Sequence, residues 1–419
     1  MEINRIVSRN RVVVTGLGVV APNGIGTEAF WSSLLECRSG IKAITLFDAS
    51  KHSCQIAGEV SDFDAAVHLR PGINPKRLAR QTQMALAATE QAFQDANLSR
   101  ETLLSDKAVP LILGVSSSAI EVIEHGMERM TGRGPTRVPS HIVSACQPHQ
   151  AASTIALHFP LLTRITTMAS ACAAGLDAIG AAADLIRSGR ADVVVCGGTD
   201  APINPLTFAC LAKAGLVSVR NETPEKASRP FDADSDSGVI SEGAGIVVLE
   251  NLAHALARNA KPYLEITGFA TRYDTDPAVS GSGLDATMGE ALANAGRRPS
   301  NVDYICAHGP GHPVMDRSET RMIKSTFGEL AYIIPISSIK GVTGNPLSAA
   351  GPFQLIACSL ATRDGMIPPT ANLEKADPDC DLHYTPKTPR ASRLNCILVN
   401  SHGLGGGNSC LVLERVNPS

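Results

Sequence analysis

The chain has 419 residues, a formal net charge of −3 and few aromatic side chains. This length allows two coupled domains, and the Gly- and Ala-rich composition is typical of a packed α/β enzyme. No block of Lys and Arg stands out, so neither nucleic acid nor an anionic membrane is an expected partner. Because no apolar run approaches ~20 residues and the N-terminus lacks a signal-peptide pattern, we expect a soluble cytoplasmic protein without a membrane span.

Short Val- and Ile-rich runs recur from RVVVTGLGVV near the N-terminus to NSCLVLERV near the C-terminus. They lack polar alternation, which is typical of strands buried on both faces of a sheet. Helical patterns lie between these runs, and the alternation predicts an α/β fold with layered sheets and helices. In chain order the predicted helices cover residues 77–97, 175–188, 252–258, 284–295, 318–327 and 352–363.

The organisation of the chain looks duplicated. The opening NRVVVTGLGVV has a counterpart near the middle in KPYLEITGFATRYD, and helices, a central strand and a final strand pair follow each. We therefore expect two similar halves, residues 1–255 and residues 256–419. Two segments rich in Pro and Gly, residues 131–140 and 229–238, are expected to be ordered loops rather than linkers.

One of the eleven cysteines is distinguished by its position. The cysteines form no CxxC pair and their number is odd, so we expect neither a disulfide framework nor a metal site. Most of them, such as Cys196 and Cys396, fall in apolar strand-like runs and are expected to be packing residues. Cys172 instead lies in TTMASACAAGLDAIG, before an Ala-rich helix whose N-terminus would favour a thiolate.

Three further polar segments follow buried strands, where the active-site loops of α/β folds gather. CAHGPGHPVMDRSE contains His308, SSIKGVTGNPLSAAG contains Lys340 and Asn345, and VNSHGLGGGNS contains His402. The glycine run in the last segment has neither P-loop nor dinucleotide-fold spacing. We interpret it as a tight turn between paired strands that brings backbone N–H groups close to a substrate oxygen.

With these motifs the chain resembles the elongating β-ketoacyl-[acyl-carrier-protein] synthases of the thiolase-like superfamily. ACAAG, ADVVVCGGTDA, RPFDADSDSGVISEGAGIVVLE, AHG, SIKGVTGN and NSHGLGGGN follow the family's order and spacing over nearly the whole chain. The resemblance implies duplicated βαβαβαββ halves, a five-layered α-β-α-β-α core, and a dimer built across the half that carries the nucleophile. It also implies that Cys172 accepts an acyl group, which a carbon nucleophile from a malonyl thioester then attacks.

The resemblance implies a catalytic set of Cys172, His308 and Asn345. The family's usual set is Cys-His-His, and Asn345 stands in place of the second histidine. An asparagine can donate a hydrogen bond to a thioester carbonyl, but it cannot accept or deliver protons near pH 7. The implied oxyanion hole is formed by the N–H groups of Cys172 and Leu404, and Lys340 is expected to pair with Glu319 as a structural support.

Four substrate-channel positions depart from the family pattern. Pro310 and His312 replace two threonines that bind the pantetheine arm, Leu404 replaces a gating phenylalanine, and His402 stands where another phenylalanine is common. These departures favour a specialised fatty-acid or polyketide pathway. We expect no bound cofactor, because the substrates would be carried on the 4′-phosphopantetheine arm of an acyl carrier protein or on CoA.

Two other functions are kept as alternatives. One is an acyltransferase or cyclase that uses acyl-Cys172 without decarboxylation, which the loss of one imidazole and of both threonines favours. The other is a non-catalytic partner subunit resembling a chain-length factor, although such subunits usually lose the nucleophile. The expected partners are an acyl carrier protein and either a second copy of the chain or a subunit of the chain-length-factor type.

Overall fold

The computed structural model describes residues 10–103, 107–276 and 278–417, and these form a layered α/β fold. The strands within these ranges are β1 (Val12–Ala21), β2 (Gly24–Ile25), β3 (Lys42–Ala43), β4 (Ile56–Ala57), β5 (Val109–Gly114), β6 (Leu162–Met168), β7 (Val193–Asp200), β8 (Gly243–Asn251), β9 (Leu264–Tyr273), β10 (Tyr304–Cys306), β11 (Ile336–Ser337), β12 (Met366–Ile367), β13 (Arg390–Ala391), β14 (Cys396–Gly403) and β15 (Gly407–Glu414).

The helices lie on both sides of the strands and between them. In chain order they are α1 (Thr27–Leu35), α2 (Ala65–His68), α3 (Arg80–Asp95), α4 (Ile120–Arg133), α5 (Ile142–Ala145), α6 (Gln150–His158), α7 (Ala174–Arg187), α8 (Pro205–Lys213), α9 (Leu252–Ala257), α10 (Leu284–Asn294), α11 (Pro313–Phe327), α12 (Lys340–Thr343) and α13 (Ala350–Asp364).

The sheet topology repeats once along the chain. In the first half the strands lie in the order β6-β5-β7-β8-β1, and in the second half in the order β11-β10-β14-β15-β9. In each half the three strands at the outer end are parallel and the remaining pairings are antiparallel. The halves join where β1 pairs with β9. The predicted duplication of the fold is confirmed, whereas the division at residue 255 stays a prediction.

Five layers follow from the packing of the helices. Helices α3 and α6 cover the outer face of the first set of strands, and α10 and α11 cover the outer face of the second. Helices α7 and α13 contact each other and strands of both sets, so they form the central layer. Nearly every residue of α13 is buried, which explains why its sequence is apolar or small all round.

Two glycines allow the central layer to pack closely. A Cβ atom on Gly175 of α7 would lie 2.0 Å from the carbonyl oxygen of Ser348 and 2.6 Å from Pro352. A Cβ on Gly351 of α13 would lie 2.8 Å from the Cβ of Leu176. Because real side chains cannot approach this closely, the glycines let the start of α7 lie against the segment that precedes α13. The two segments carry Cys172 and Asn345, respectively.

Candidate active site

Cys172 lies in a sharp turn between β6 and α7. The preceding residue, Ala171, has a φ of +52°, in the left-handed region that non-glycine residues rarely adopt. The turn is held by Asp177 in the first turn of α7, whose carboxylate accepts hydrogen bonds from Ser170 and from Ser409 of β15. Cys172 is therefore held just before a helix N-terminus, and its side chain is buried with 8% of its surface exposed.

The thiol of Cys172 is surrounded by groups with opposing effects. Burial raises its pKa, while the positive charge of Lys340 and hydrogen bonds to the sulfur from the Leu404 N–H and the Asn345 side chain lower it. Burial has the largest effect, so the net direction is upward and the group is a thiol at rest. The helix N-terminus does not by itself make Cys172 a thiolate, and acylation requires a proton acceptor.

His308 follows β10 and is held through its backbone. The carboxylate of Glu319, on α11, accepts the N–H of His308 at 2.9 Å and the N–H of Gly309 at 2.8 Å. The side chain of Asn400 on β14 donates to the same carboxylate at 3.1 Å. These contacts are buried, so the backbone of His308 is held by α11 and β14 of the second half.

Lys340 at the start of α12 sets the proton position on His308. Its Nζ lies 3.2 Å from Nδ1 of His308 and also donates to the His308 carbonyl oxygen. An ammonium can only donate, so Nδ1 is the acceptor and the neutral ring carries its proton on Nε2. Burial and the nearby charges of Lys340 and His402 hold the pKa of His308 well below its usual value. Burial lowers the pKa of Lys340 to about 8.

The expected pairing of Lys340 with Glu319 takes a different form. Among the described residues no ion pair within 4.0 Å joins them, although the charge of Glu319 still raises the pKa of Lys340. The two side chains instead support His308 separately, Glu319 through its backbone N–H and Lys340 through its ring and carbonyl. A buried ammonium and a buried carboxylate each need hydrogen bonds, and the His308 segment supplies them to both.

Asn345 is fixed by the backbone on the other side of the thiol. Its N–H donates to Val239 at 2.7 Å, and its carbonyl accepts from the N–H of Ser241 at 3.0 Å. Its side chain lines the pocket with Cys172 and lowers the pKa of that thiol. Within the described part of the chain its Oδ1 is buried without a hydrogen-bond partner. Both groups that face the thiol from the second half, Asn345 and His308, therefore present N–H donors.

The structure brings the predicted residues into one pocket. Its volume of about 70 Å³ is small beside the roughly 300–1,000 Å³ of typical ligand sites, so a longer acyl group requires side-chain movement. Lys340 and Glu319 lie behind His308 rather than on the wall. The lining residues are Cys172, Leu211, Leu216, Gly238, Ile240, His308, Pro310, His312, Met315, Asn345, Leu347, His402 and Leu404.

Family models match both halves of the chain around this site. The β-ketoacyl synthase N-terminal domain matches residues 9–255, and the C-terminal domain matches residues 263–374. The chain belongs to the β-ketoacyl synthase family. This confirms the family, the fold and the class of enzyme, acyltransferase, that the motifs predict.

Relatives of the β-ketoacyl synthase family align over nearly the full chain. The chain is 39% identical to 3-oxoacyl-[acyl-carrier-protein] synthase 2 of Synechocystis sp., covering 97% of this chain and 98% of the relative. It is 38% identical to the tetracenomycin polyketide synthase ketoacyl synthase alpha subunit of Streptomyces glaucescens, with the same coverage.

Solved structures of ketosynthases share the architecture. A type II polyketide synthase acyl-carrier protein in complex with its ketosynthase, bound to the hexaketide, matches with a TM-score of 0.89 and 32% identity. This match covers 97% of this chain and 100% of that chain. The ishigamide ketosynthase/chain length factor matches with a TM-score of 0.90 and 30% identity, covering 98% and 100%.

Several pocket residues of this β-ketoacyl synthase are not among the sequence predictions. Leu211 and Leu216 come from α8 and the loop after it, Ile240 from the segment before β8, and Met315 from the first turn of α11. They are ordinary apolar residues in segments without a distinctive motif. Only the proximity of separate segments shows their role, so no sequence signal could have identified them.

Neither a membrane-spanning helix nor a metal site is found in the part of the chain that is described. No helix there is long and apolar enough to cross a membrane. In the same ranges no group of three or more His, Cys, Asp and Glu side chains is placed to hold a metal ion. The predicted cytoplasmic location stays a prediction.

Proposed function

We propose that this β-ketoacyl synthase transfers an acyl group to Cys172 and condenses it with a malonyl-type thioester, using a Cys-His-Asn set. The observation that carries the proposal is the convergence of Cys172, His308 and Asn345 on one buried pocket, with the Leu404 N–H directed at the sulfur. This arrangement supplies a nucleophile and three hydrogen-bond donors at a single point. Such donors stabilise charge that develops on a thioester oxygen.

In acyl transfer, the sulfur of Cys172 attacks the thioester carbon and the carrier thiol departs. The developing oxyanion accepts hydrogen bonds from the N–H groups of Leu404 and Cys172. Leu404 lies in the glycine turn between β14 and β15, and a Cβ on Gly403 would come within 2.9 Å of the Ser170 carbonyl oxygen. Gly403 therefore lets the turn approach the nucleophile closely enough for the Leu404 N–H to serve this role.

In condensation, the malonyl group loses carbon dioxide and leaves an enolate that attacks the acyl-Cys172 carbonyl. The enolate oxygen accepts hydrogen bonds from Nε2–H of His308 and from the Asn345 amide. Lys340 keeps His308 in the tautomer that donates from Nε2. Asn345 replaces an imidazole as donor in this step, since stabilising an enolate requires an N–H but no proton transfer.

The pantetheine arm of the substrate would pass the channel positions that differ from the family pattern. Pro310 offers no N–H or hydroxyl, while Nδ1 of His312 is buried without a partner among the described residues. Burial lowers the pKa of His312, so the ring is neutral near pH 7, and Nδ1 is a free acceptor in the tautomer that carries its proton on Nε2. It can accept an amide N–H of a pantetheine arm. The change of chemistry supports a dedicated carrier or an unusual acyl group in a specialised pathway.

A basic groove supports an acyl carrier protein as the partner. A cavity of about 510 Å³ is bordered by Lys76, Arg77 and Arg129, and its walls are partly apolar. Within the described ranges none of these three cations forms an ion pair with a carboxylate. Ile203 on the groove wall precedes α8, whose Leu211 lines the active-site pocket. We propose that an acidic carrier docks here and extends its arm along α8.

The edge of the sheet supports a dimer. Strand β6 pairs on one side with β5, and most of its residues are exposed. Ile165 on this strand is 41% exposed, and Ile123, Met127 and Met130 form an exposed apolar stripe on α4. An unpaired sheet edge and an exposed apolar helix face are each suited to pairing with a second copy of this chain or a chain-length-factor-like subunit.

The function is tested by supplying hexanoyl-pantetheine and malonyl-pantetheine to the protein, alone and then together. We expect a Cys172 thioester from the first, carbon dioxide from the second, and a 3-oxooctanoyl thioester from the pair. Cys172→Ser is the matched control, because it keeps the turn and removes the thiol. Acylation without carbon dioxide release would instead show the alternative, an acyltransferase that does not decarboxylate. A protein that shows neither acylation nor condensation would be the second alternative, a non-catalytic partner subunit.

A further inference from the structure

Acyl transfer raises a question of proton movement that the catalytic set does not answer. Cys172 is a thiol at rest, so its proton must leave as the sulfur attacks. Asn345 cannot accept it. His308 is a poor acceptor, because its Nε2 already carries a proton and Lys340 occupies Nδ1. A proton on His308 would also place a second positive charge beside the ammonium.

The two remaining imidazoles of the pocket differ in their surroundings. His312 caps the N-terminus of α11, where the helix dipole opposes a positive charge, and burial lowers its pKa further. His402 has the opposite setting. Its Nδ1 lies 2.9 Å from Oδ1 of Asn408, and the Asn408 amide donates to the carboxylate of Asp274 at 2.7 Å. Behind His402 there is thus an amide oxygen, that of Asn408, and beyond it the carboxylate of Asp274, both of which suit a positive charge on the ring.

The same contacts fix which nitrogen of His402 is free to react. The Asn408 amide nitrogen donates to Asp274, so its oxygen accepts and Nδ1 of His402 carries the proton. Nε2 is then an acceptor, and at rest it takes the hydroxyl of Ser280 at 2.7 Å. A change of the Ser280 side-chain rotamer, which moves Oγ away, would free the lone pair of this imidazole, which lines the same pocket as Cys172 and lies 6.0 Å from the ring of His308.

We propose that His402 is the proton carrier of the acyl-transfer step. Nε2 takes the proton of the Cys172 thiol as the S–C bond to the acyl group forms. As the bond between the acyl carbon and the carrier sulfur breaks, the imidazolium returns the proton to that sulfur. Atoms and charge balance without another reactant. The second imidazole that acts on the reacting groups thus lies at position 402 rather than 345.

This proposal rests on the proposed function, since it assumes that Cys172 is the acyl acceptor. The groups around His402 are Ser280 beside it, Asn408 and then Asp274 behind it, and His308 at 6.0 Å between ring centroids, while Cys172 lines the same pocket. Lys340 lies beyond His308. Of these, Asp274 is joined to the ring through Asn408, and Lys340 is separated from it by the imidazole of His308.

The test compares acylation rates with hexanoyl-pantetheine from pH 6 to 9, measured by intact-protein mass. His402→Gln keeps a polar side chain but cannot carry a proton, and His402→Phe removes polarity. We expect both to slow acylation at pH 7 on the order of 10²-fold. Their rates should then rise about tenfold per pH unit, because only the small thiolate fraction reacts, whereas the wild-type rate should rise less steeply.

Ser280→Ala is the matched control, because it removes the contact to Nε2 and keeps the imidazole. We expect it to lose far less activity than either substitution at position 402. Acylation of His402→Gln at the wild-type rate would overturn the proposal. So would a loss of rate that is the same at every pH, which indicates structural damage alone. A wild-type protein that takes no acyl group overturns the proposed function itself, which separates the two failures.

Discussion

At the scale of single residues, Lys340 is the group that most shapes the chemistry of its neighbours. Its charge lowers the pKa of Cys172 and of His308, and its Nζ selects the tautomer of His308. A lysine with less than 2% of its surface exposed is retained at a cost in stability, because burial disfavours the charged form. We therefore infer that Lys340 serves the chemistry of the site rather than the packing of the core.

This setting predicts a pH limit for decarboxylation. The pKa of Lys340 is lowered to about 8, so it is charged below that pH and neutral above it. A neutral amine can also accept from Nδ1, so His308 is no longer held with its proton on Nε2. Carbon dioxide release from malonyl-pantetheine should fall as the pH rises through about 8. Lys340→Met should be slower at pH 7 and lack this fall, and a wild-type rate that is constant to pH 9 would contradict the assignment.

The motifs predict much of the site at this scale but not its electrostatics. Cys172, His308 and Asn345 stand in recognisable segments, and the structure brings them together. The position before a helix N-terminus predicts a thiolate, but burial has the larger effect and raises the pKa of Cys172. The burial depends on segments distant in the sequence, which no local pattern shows. The hydrogen-bonded series His402–Asn408–Asp274 joins positions more than a hundred residues apart, so no local pattern could reveal it.

At the scale of elements, the sequence predicts helices correctly where apolar residues recur with a helical period. The predicted helix 284–295 corresponds to α10, and the predicted helix 175–188 corresponds to α7. The helix predicted at 318–327 begins five residues earlier, at Pro313, because proline suits the first turn. Helix α4 has no counterpart among the predictions and runs into the expected loop at 131–140. The apolar stripe of α4 is exposed, so packing against the described part of the chain does not account for this helix.

The close contact between α7 and the segment before α13 predicts the effect of one methyl group. In Gly175→Ala the new Cβ would lie 2.0 Å from the Ser348 carbonyl, so the elements must separate. We expect a loss of about 1–3 kcal/mol in unfolding free energy and slower labelling of Cys172 by chloroacetamide. Gly289→Ala on α10 is the control, because nothing lies within 4 Å of its added Cβ. It should stabilise the protein by roughly 0.5–1 kcal/mol in urea denaturation. Equal stability of the two variants would refute the packing argument.

At the scale of the whole molecule, the duplicated topology explains why the site forms between the halves. The nucleophile follows β6, the outermost strand of the first half, and Asn345 follows β11, its counterpart in the second half, while His308 follows the adjacent strand β10. The alternation of strands and helices predicts the α/β class, and the resemblance predicts the five layers. The pairing of β1 with β9, which unites the two sets of strands, carries no signal in either sequence segment.

The basic groove predicts a difference between carrier-bound and free substrates. Replacing Arg77 and Arg129 by Glu reverses two charges on its border and leaves the Cys172 pocket intact. Acylation by a hexanoyl acyl carrier protein should slow at least tenfold at low ionic strength, with the difference shrinking at high salt. Acylation by hexanoyl-pantetheine, which has no protein to dock, should be little affected. If both donors lose the same factor, the groove is not the docking site.

The most direct measurement is the location of the acyl group after a brief incubation with hexanoyl-pantetheine. Intact mass followed by peptide mapping reports which of the eleven cysteines carries it. We expect one hexanoyl group, on Cys172, and its disappearance with release of carbon dioxide when malonyl-pantetheine is added. An acyl group on another cysteine, or full turnover by Cys172→Ala, would contradict the account.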